Sequence, residues 1–315
     1  MMDVTVHLGA HRTATTSFQH YAQDQEAFLA AERVAVWGPK RTRQSVFPGF
    51  FRNARAKKGR DVAQRAAGRL RLHMAQAENQ GVERLLISDE NLLGTPIDML
   101  RQGRLYPAAG ERVARLAQAL DTRFSSVVLS IRSLDLWWAS ICALSVSRGH
   151  PMPSSDDLRA IAAHRRGWRD VVTDIACAIP EGAEIKVLPF ERFAGQPEAL
   201  LSTALSVDAP ADGGQRWLNR SADLDTLRST FTADGRDAAQ LPDEAGRWQP
   251  FEPEQIALLR ELYADDMHWL VAGADGLATS IEERSLTRAD TSASQAVTTK
   301  GHFHDTSQGQ LAQDG

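Results

Sequence analysis

The sequence predicts an α/β fold, a single doubly wound domain whose central parallel sheet is flanked by helices. Two observations predict it. Four short, β-branched-rich runs (residues 4–8, 85–88, 127–131 and 185–189) are near-continuously apolar rather than alternating, as strands covered on both faces are. Each run leads into a turn or a helical stretch, and strands alternating with helices wind into a parallel sheet through right-handed crossovers. At 315 residues, with 43% hydrophobic and 24% charged side chains, the chain can bury one large core.

Residues 4–8 are the first strand. Residues 15–31 follow as a helix, with Phe18, Tyr21, Phe28 and Leu29 spaced to share a face. Residues 34–37 make a weaker fifth strand, stopped by Gly38-Pro39. Residues 61–80, rich in Ala, Arg, Leu and Gln, form a helix ahead of the strand at 85–88. A helix over 110–120 precedes the strand at 127–131, and helices over 134–147 and 156–177 precede the strand at 185–189. Further helices are expected over 224–231, with Ser221 or Asp223 as the cap, and over 253–271. The domain is expected to span residues 1–284. Residues 285–315 hold Ser, Thr, Gln, Gly and Asp with few large apolar side chains, so they are expected to be a disordered tail.

Composition narrows the function classes. Cys142 and Cys177 sit in no paired motif, which fits a reducing compartment and gives neither a disulfide framework nor a zinc site. The first residues enter a strand-like run with no basic leader, and nothing approaches the ~20 apolar residues of a membrane span. A cytoplasmic protein without an integral membrane segment is expected. Net charge is −4, yet residues 1–150 carry 21 Lys/Arg against 13 Asp/Glu, and the remainder 15 against 27. A basic first half suits an anionic ligand; it equally fits an ordinary drift of surface charge.

The most informative stretch runs from Val6 to Ser17 (VHLGAHRTATTS), where a strand ends and a helix opens on hydroxyl residues. Unpaired N–H groups and the helix dipole meet there, and hydroxyls plus a cation would complete an oxyanion site. A nucleoside-triphosphate P-loop, G-x-x-x-x-G-K-[ST] counted from Gly9, fails here, with Ala14 at the second Gly and Thr15 at the Lys. The alternative to an anion site is a capped helix start with incidental hydroxyls. The stretch resembles the 5′-phosphosulfate loop of the sulfotransferase family, whose bacterial members often read H-x-G-x-H-K-T-G-T-T-S-x-Q. His7, Gly9, His11, Thr13, Thr15, Thr16, Ser17 and Gln19 stand in matching places. Arg12 replaces the usual Lys and Ala14 a Gly. Arginine keeps the charge but offers a planar fork in place of a point charge.

The second stretch opens at Arg132 after the strand at 127–131, with Ser140 eight residues on and Arg148-Gly149 beyond. It resembles the family's 3′-phosphate element, an Arg and a Ser eight apart ending near an Arg-Gly pair. A charged fork with a hydroxyl can grip a terminal phosphate in register.

Ser88-Asp89-Glu90 ends a strand at a point where family members commonly carry S-x-E. Transfer needs a base for the acceptor hydroxyl, and a carboxylate with its pKa raised by burial can serve. Glu90 is the expected base, with Asp89 and His11 as alternatives, or the pair is a cap or solvated. Residues 40–60 hold eight Lys/Arg and no Asp/Glu among Phe47, Phe50 and Phe51, which reads as a lid, a site for an anionic sugar, or a solvated basic loop. No nucleic-acid module is recognisable, so no nucleic-acid partner is expected. Residues 187–193 (VLPFERF) resemble the family's strand ending in an aromatic-Glu pair, and 219–221 a later cofactor contact. His302 and His304 lack further ligands for a metal.

The resemblance implies a P-loop-like fold and a nucleotide-binding enzyme using 3′-phosphoadenosine-5′-phosphosulfate as donor, without a metal, on a small-molecule or carbohydrate acceptor. It places His11, Arg12, Thr13, Ala14, Thr15, Thr16 and Ser17 at the phosphosulfate, Arg132 and Ser140 at the 3′-phosphate, and Arg12 and Glu90 in catalysis. Two rivals are a P-loop kinase or other phosphoryl transferase, and an inactive nucleotide-binding protein of the same fold.

Overall fold

Six runs of the chain become strands: β1 (Asp3–His7), β2 (Val34–Trp37), β3 (Arg84–Ser88), β4 (Phe124–Ile131), β5 (Glu184–Pro189) and β6 (Thr279–Ser280). In the computed structural model, which describes residues 2–51, 57–211 and 218–281 (57–61 by backbone alone), they form one sheet. It is parallel throughout, in the order β2-β3-β1-β4-β5-β6. The helices are α1 (Thr15–Asp24), α2 (Glu26–Ala31), α3 (Pro39–Arg41), α4 (Lys57–Asn79), α5 (Pro96–Gln102), α6 (Ala109–Leu120) and α7 (Leu134–Ser147). They continue with α8 (Ser155–Ala163), α9 (Trp168–Ala176), α10 (Phe190–Phe193), α11 (Pro197–Leu205), α12 (Leu224–Ala233) and α13 (Pro253–Val271).

Both faces of the sheet are covered, as near-continuous apolar strands require. On one face Val4, Val6, Ile87, Leu129 and Val187 join Leu70 of α4, Leu116 of α6, Ile141 of α7, Ile175 of α9 and Leu259 of α13 in the main core. On the other, Leu86, Val128 and Leu188 pack with Phe18 and Tyr21 of α1 and with Leu200 and Leu201 of α11. This second face also takes polar strand residues in pairs. Thr5 Oγ1 and Ser126 Oγ lie 2.9 Å apart, and His7 Nδ1 and Ser88 Oγ 2.8 Å. Pairing of this kind offsets the cost of burying these groups, although His7 Nε2 has no partner among the described residues.

The departures from expectation have local causes. The helix expected over 15–31 is two, α1 and α2, meeting at Gln25. The one expected over 156–177 breaks between α8 and α9, where His164 turns extended (ψ 125°). Arg166 then reaches back to the carbonyls of Leu105 (2.6 Å) and Tyr106 (3.1 Å). A Cβ at Gly167 would overlap the Asp266 carboxylate, which instead accepts the N–H groups of Trp168 (2.6 Å) and Arg169 (3.2 Å). The start of α9 is thus capped by a side chain from α13, a tertiary partner for the orphan donors of a helix start. Asp223 caps α12 through Thr226 N–H at 2.8 Å, and Ser221 has another role.

In residues 40–51 the basic side chains Lys40, Arg41 and Arg43 are exposed, as a solvated basic segment has them, while the backbone is built into helical turns. Chain from α3 runs on into a π-helical turn, Thr42–Val46, and Phe47 and Phe50 are buried in the main core. Residues 52–56 and the tail expected at 285–315, with His302 and His304, lie outside the described residues. No helix among the described residues is long and apolar enough to cross a membrane.

Candidate anion-binding site

β1 and β4 are neighbours, but β1 leads to β2 on one side and β4 to β5 on the other. Connections that part in this way leave a crevice at the strands' carboxyl ends, the usual ligand edge of an open α/β sheet. Both sequence motifs emerge there.

The segment after β1 first extends its pairing with β4, Leu8 N–H donating to the Val128 carbonyl (2.8 Å) and Ala10 N–H to that of Ser130 (3.1 Å). It then folds over itself, as Thr13 donates to the Ala10 carbonyl from its hydroxyl (2.7 Å) and its N–H (3.3 Å). A Cβ at Gly9 would stand 2.6 Å from His7 Nε2 and 2.7 Å from Thr15 Oγ1, so the close approach requires glycine. Arg12 (φ 66°) and Ala14 (φ 60°) are both left-handed. For a non-glycine residue that conformation costs roughly 1–2 kcal/mol. Glycine would take the Ala14 conformation without strain. No side chain caps α1, whose first N–H groups and positive dipole end face the crevice edge. The hydroxyls of Thr16 and Ser17 accept from Asn219 Nδ2 (3.1 Å) and Leu218 N–H (2.9 Å).

The second motif meets the first directly. Arg12 Nε donates to Ser140 Oγ at 2.9 Å, and Arg12 Nη2 to Ser221 Oγ at 3.1 Å; the two serine hydroxyls bond to each other. Arg132 Nη1 donates to the Arg12 carbonyl at 2.9 Å. The Arg12 guanidinium therefore lies on the serine of the second motif, while its backbone belongs to the first. Sequence reading kept these two stations apart.

Charge is concentrated here. Arg132 is 6% exposed, and its Nε has no partner among the described residues. Burial, then repulsion from Arg247, pushes its pKa down to about 10, although Glu191 opposes the shift. Burial also lowers the pKa of Arg12, reinforced by Arg148 and Arg247. A buried guanidinium held among like charges is stabilised by an incoming anion. The platform beneath is aromatic and rigid. Trp168 Nε1 donates to the Arg132 carbonyl and Trp137 Nε1 to that of His11, each at 2.7 Å. Tyr106 packs against both indoles at centroid distances of 6.1 and 5.6 Å.

The three candidate bases fare differently. Asp89 is buried and fully engaged, accepting from Thr42 Oγ1 (2.5 Å), Arg43 Nη2 (2.7 Å) and Asn91 N–H (3.0 Å). It is an anchor for the 42–46 turn. His11 is buried with Nδ1 at 2.9 Å from Tyr106 Oη and Nε2 at 3.0 Å from Asn91 Oδ1. Burial lowers its pKa and keeps the ring neutral. Glu90 accepts from Arg43 Nη2 (2.8 Å) and Gln19 Nε2 (3.4 Å). Burial alone would raise its pKa, but the hydrogen bond and charge of Arg43 outweigh it, and the pKa falls below the usual glutamate value. The expectation of a carboxylate raised by burial is corrected on this point. Arg43, the residue responsible, sits 46 residues from Asp89 in sequence, and nothing local announced it.

Thr16, Gln19, Arg43, Glu90, Arg148 and Asn219 line an open groove of about 1870 Å³, while Arg12, Arg132 and Ser140 are not on its walls. No protein-family model matches the chain and no curated protein matches it in sequence, so its chemistry is argued from these residues.

Proposed function

We propose that this chain is a sulfotransferase of P-loop-like fold that moves a sulfuryl group from 3′-phosphoadenosine-5′-phosphosulfate to a hydroxyl of a small-molecule or carbohydrate acceptor. The observation that carries the reading is the meeting of Arg12, Arg132, Ser140 and Ser221 beside the uncapped start of α1. Two anion stations that touch suit a donor with phosphate-bearing groups at both ends of one ribose. The buried Arg132 Nε, without a partner among the described residues, and the close approach at Gly9 fit such a group.

The backbone N–H groups of Ala14, Thr15, Thr16 and Ser17, with the hydroxyls of Thr16 and Ser17, would hold the 5′-phosphosulfate, and Arg132 with Ser140 the 3′-phosphate, while His11 and Thr13 shape the loop, their N–H groups donated to Tyr106 Oη and the Ala10 carbonyl. The donor supplies an activated sulfuryl group. As the acceptor oxygen bonds to sulfur, the bond from sulfur to the bridging phosphate oxygen breaks. The electron pair leaves with adenosine 3′,5′-bisphosphate, whose growing charge Arg12 offsets. Glu90 takes the acceptor proton. Held ionised by Arg43, it is ready to accept across the physiological range, although a lowered pKa makes it a weaker base.

A second reading, donor binding without turnover, is favoured by one feature: the Glu90 carboxylate is already bonded to Arg43. A kinase is disfavoured by Thr15 standing where a P-loop lysine belongs. Calorimetric titration of metal-free protein with adenosine 3′,5′-bisphosphate, against ATP–magnesium, tests the assignment. Tight binding of the bisphosphate without metal is expected. Preference for ATP–magnesium would overturn it, and binding without transfer to any acceptor would support the second reading.

A further inference from the structure

The polar residues that end β1 and β3 lead, bond by bond, to Glu90, and Gln19 of α1 is the link between them. Its amide nitrogen lies 3.3 Å from the Ser88 carbonyl, 3.2 Å from Ser88 Oγ and 3.4 Å from Glu90 Oε2. A carbonyl and a carboxylate can only accept, so Gln19 must turn its NH2, and not its oxygen, towards both. The amide NH2 only donates, so Ser88 Oγ accepts from Gln19 and gives its single proton to its other neighbour, His7 Nδ1, at 2.8 Å. His7 is fully buried, its ring set edge-on to Phe18 of α1 at 4.7 Å. Burial lowers its pKa to about 4 against the opposing charge of Glu90, so the ring is neutral. With Nδ1 accepting, the one ring proton sits on Nε2. Each bond in the chain then has one direction, from Ser88 to His7 and from Gln19 to Ser88 and Glu90.

We infer that Gln19 is a positioning residue for the base, and that Glu90 Oε2 is the atom that takes the acceptor proton; both roles rest on the sulfotransferase reading above. Arg43 binds Oε1 at 2.8 Å, a charge-assisted bond that leaves this oxygen the poorer base. Oε2 meets Gln19 at 3.4 Å, long for a hydrogen bond, so the contact orients the carboxylate while drawing off little of its charge. Gln19 and Glu90 line the open groove together, where an acceptor hydroxyl can enter. Gln19 is itself held through Ser88 by His7, so the orientation of Oε2 is set from the buried end of β1.

The test uses the full-length protein. In assigned NMR spectra of the wild type at neutral pH, His7 should carry its proton on Nε2; a proton on Nδ1 would reverse the chain and overturn it. Transfer is followed from radiolabelled 3′-phosphoadenosine-5′-phosphosulfate to methyl glucoside, with water as the acceptor in its absence. Gln19→Met should lower kcat by about tenfold or more, with affinity for adenosine 3′,5′-bisphosphate within about twofold of wild type. The same substitution made in Glu90→Gln should cost less than about twofold, because effects that act through one group do not add. Ser88→Ala breaks the chain one bond further from Glu90 and serves if Gln19→Met fails to fold; its smaller loss should likewise vanish in Glu90→Gln. Unchanged kcat, or a loss that repeats in full in Glu90→Gln, would overturn the positioning role and leave the transferase reading standing. No transfer by the wild type to either acceptor would remove the transferase reading and the role of Oε2 with it.

Discussion

Replacing Arg132 by methionine separates anion binding from folding, because the two effects have opposite signs. Burial holds the Arg132 pKa at about 10, well below the ordinary arginine value. At about 1.4 kcal/mol per pH unit, the folded protein without an anion carries this charge at a cost of about 3 kcal/mol. A base with a lowered folded pKa is protonated less readily when folded than when unfolded. The cost is therefore complete below about pH 10 and fades only above it. Methionine removes it but forfeits the bond to the Arg12 carbonyl, worth about 1 kcal/mol, and the contact with Phe190, worth about 0.5–1 kcal/mol. The unliganded variant should therefore match the wild type or exceed it by about 1 kcal/mol, a Tm higher by roughly 2–4 °C at most. Adenosine 3′,5′-bisphosphate should lose about tenfold to a hundredfold or more in affinity, since bonds to charged groups are worth about 1.5–3 kcal/mol. Adenosine 5′-phosphate should lose little. Melting curves with and without the bisphosphate, together with titrations of both nucleotides, give the answer. A Tm several degrees lower with bisphosphate stabilisation intact would make Arg132 a structural residue, and equal losses for both nucleotides would remove the 3′-phosphate role.

Glu90→Gln should leave bisphosphate affinity unchanged and slow transfer by about a hundredfold or more; unchanged turnover would place the base elsewhere. Arg43→Gln frees Glu90 from the partner that lowers its pKa, leaving burial to raise it. The acid limb of the pH–rate profile should then move to higher pH, and a limb that stays put would separate Arg43 from Glu90 chemistry. Ala14→Gly relieves a left-handed alanine and should raise stability by up to about 1 kcal/mol in a denaturant melt without loss of donor binding; a loss of stability would contradict the strain. Burial, helped by Asp170 and Asp265, raises the Asp266 pKa from 3.8 to about 6, so the folded state binds the proton more tightly and stability falls as pH rises between these values. Asp266→Asn keeps an oxygen for the Trp168 N–H and should gain up to about 3 kcal/mol relative to wild type on going from pH 4 to pH 7, whereas parallel stability curves would refute the shift.

The fold was legible where local pattern and tertiary environment agree. Runs such as 4–8 and 127–131 are apolar because both sheet faces are covered, and the helix bounds at 134–147 and 253–271 coincide with the structure. It was illegible where a distant partner decides. The break before α9 depends on Asp266, 98 residues from Trp168, capping a helix whose local sequence reads straight through. β6 has two residues, too few to carry a period. The starts of α5 and α11 carried Pro96 and Pro197 at the first helical position, a signal present and unused.

The site divides along the same line. A strand-to-helix junction with hydroxyls is a local feature, so the anion cradle proposed at residues 9–17 rests on local pattern together with the resemblance. Ala14 is left-handed, a conformation glycine takes without strain, so its departure from the glycine of the resembled pattern carries a physical cost. Ser221 was singled out only through the resemblance at 219–221, and Arg43 only as one cation of the basic segment 40–60, since their partners lie 81 and 47 residues away. They also change the chemistry of residues that spacing did find. Ser221 shares the Arg12 guanidinium with Ser140 and so ties together the two segments proposed to bind anions, and Arg43 turns Glu90 from a carboxylate raised by burial into one whose pKa is lowered. A motif specifies which groups are present; the protonation state and the partner of each are set by chain that arrives from elsewhere. For this molecule that places the decisive measurements on Arg132 and Arg43, where charge, burial and reach all depend on tertiary contacts.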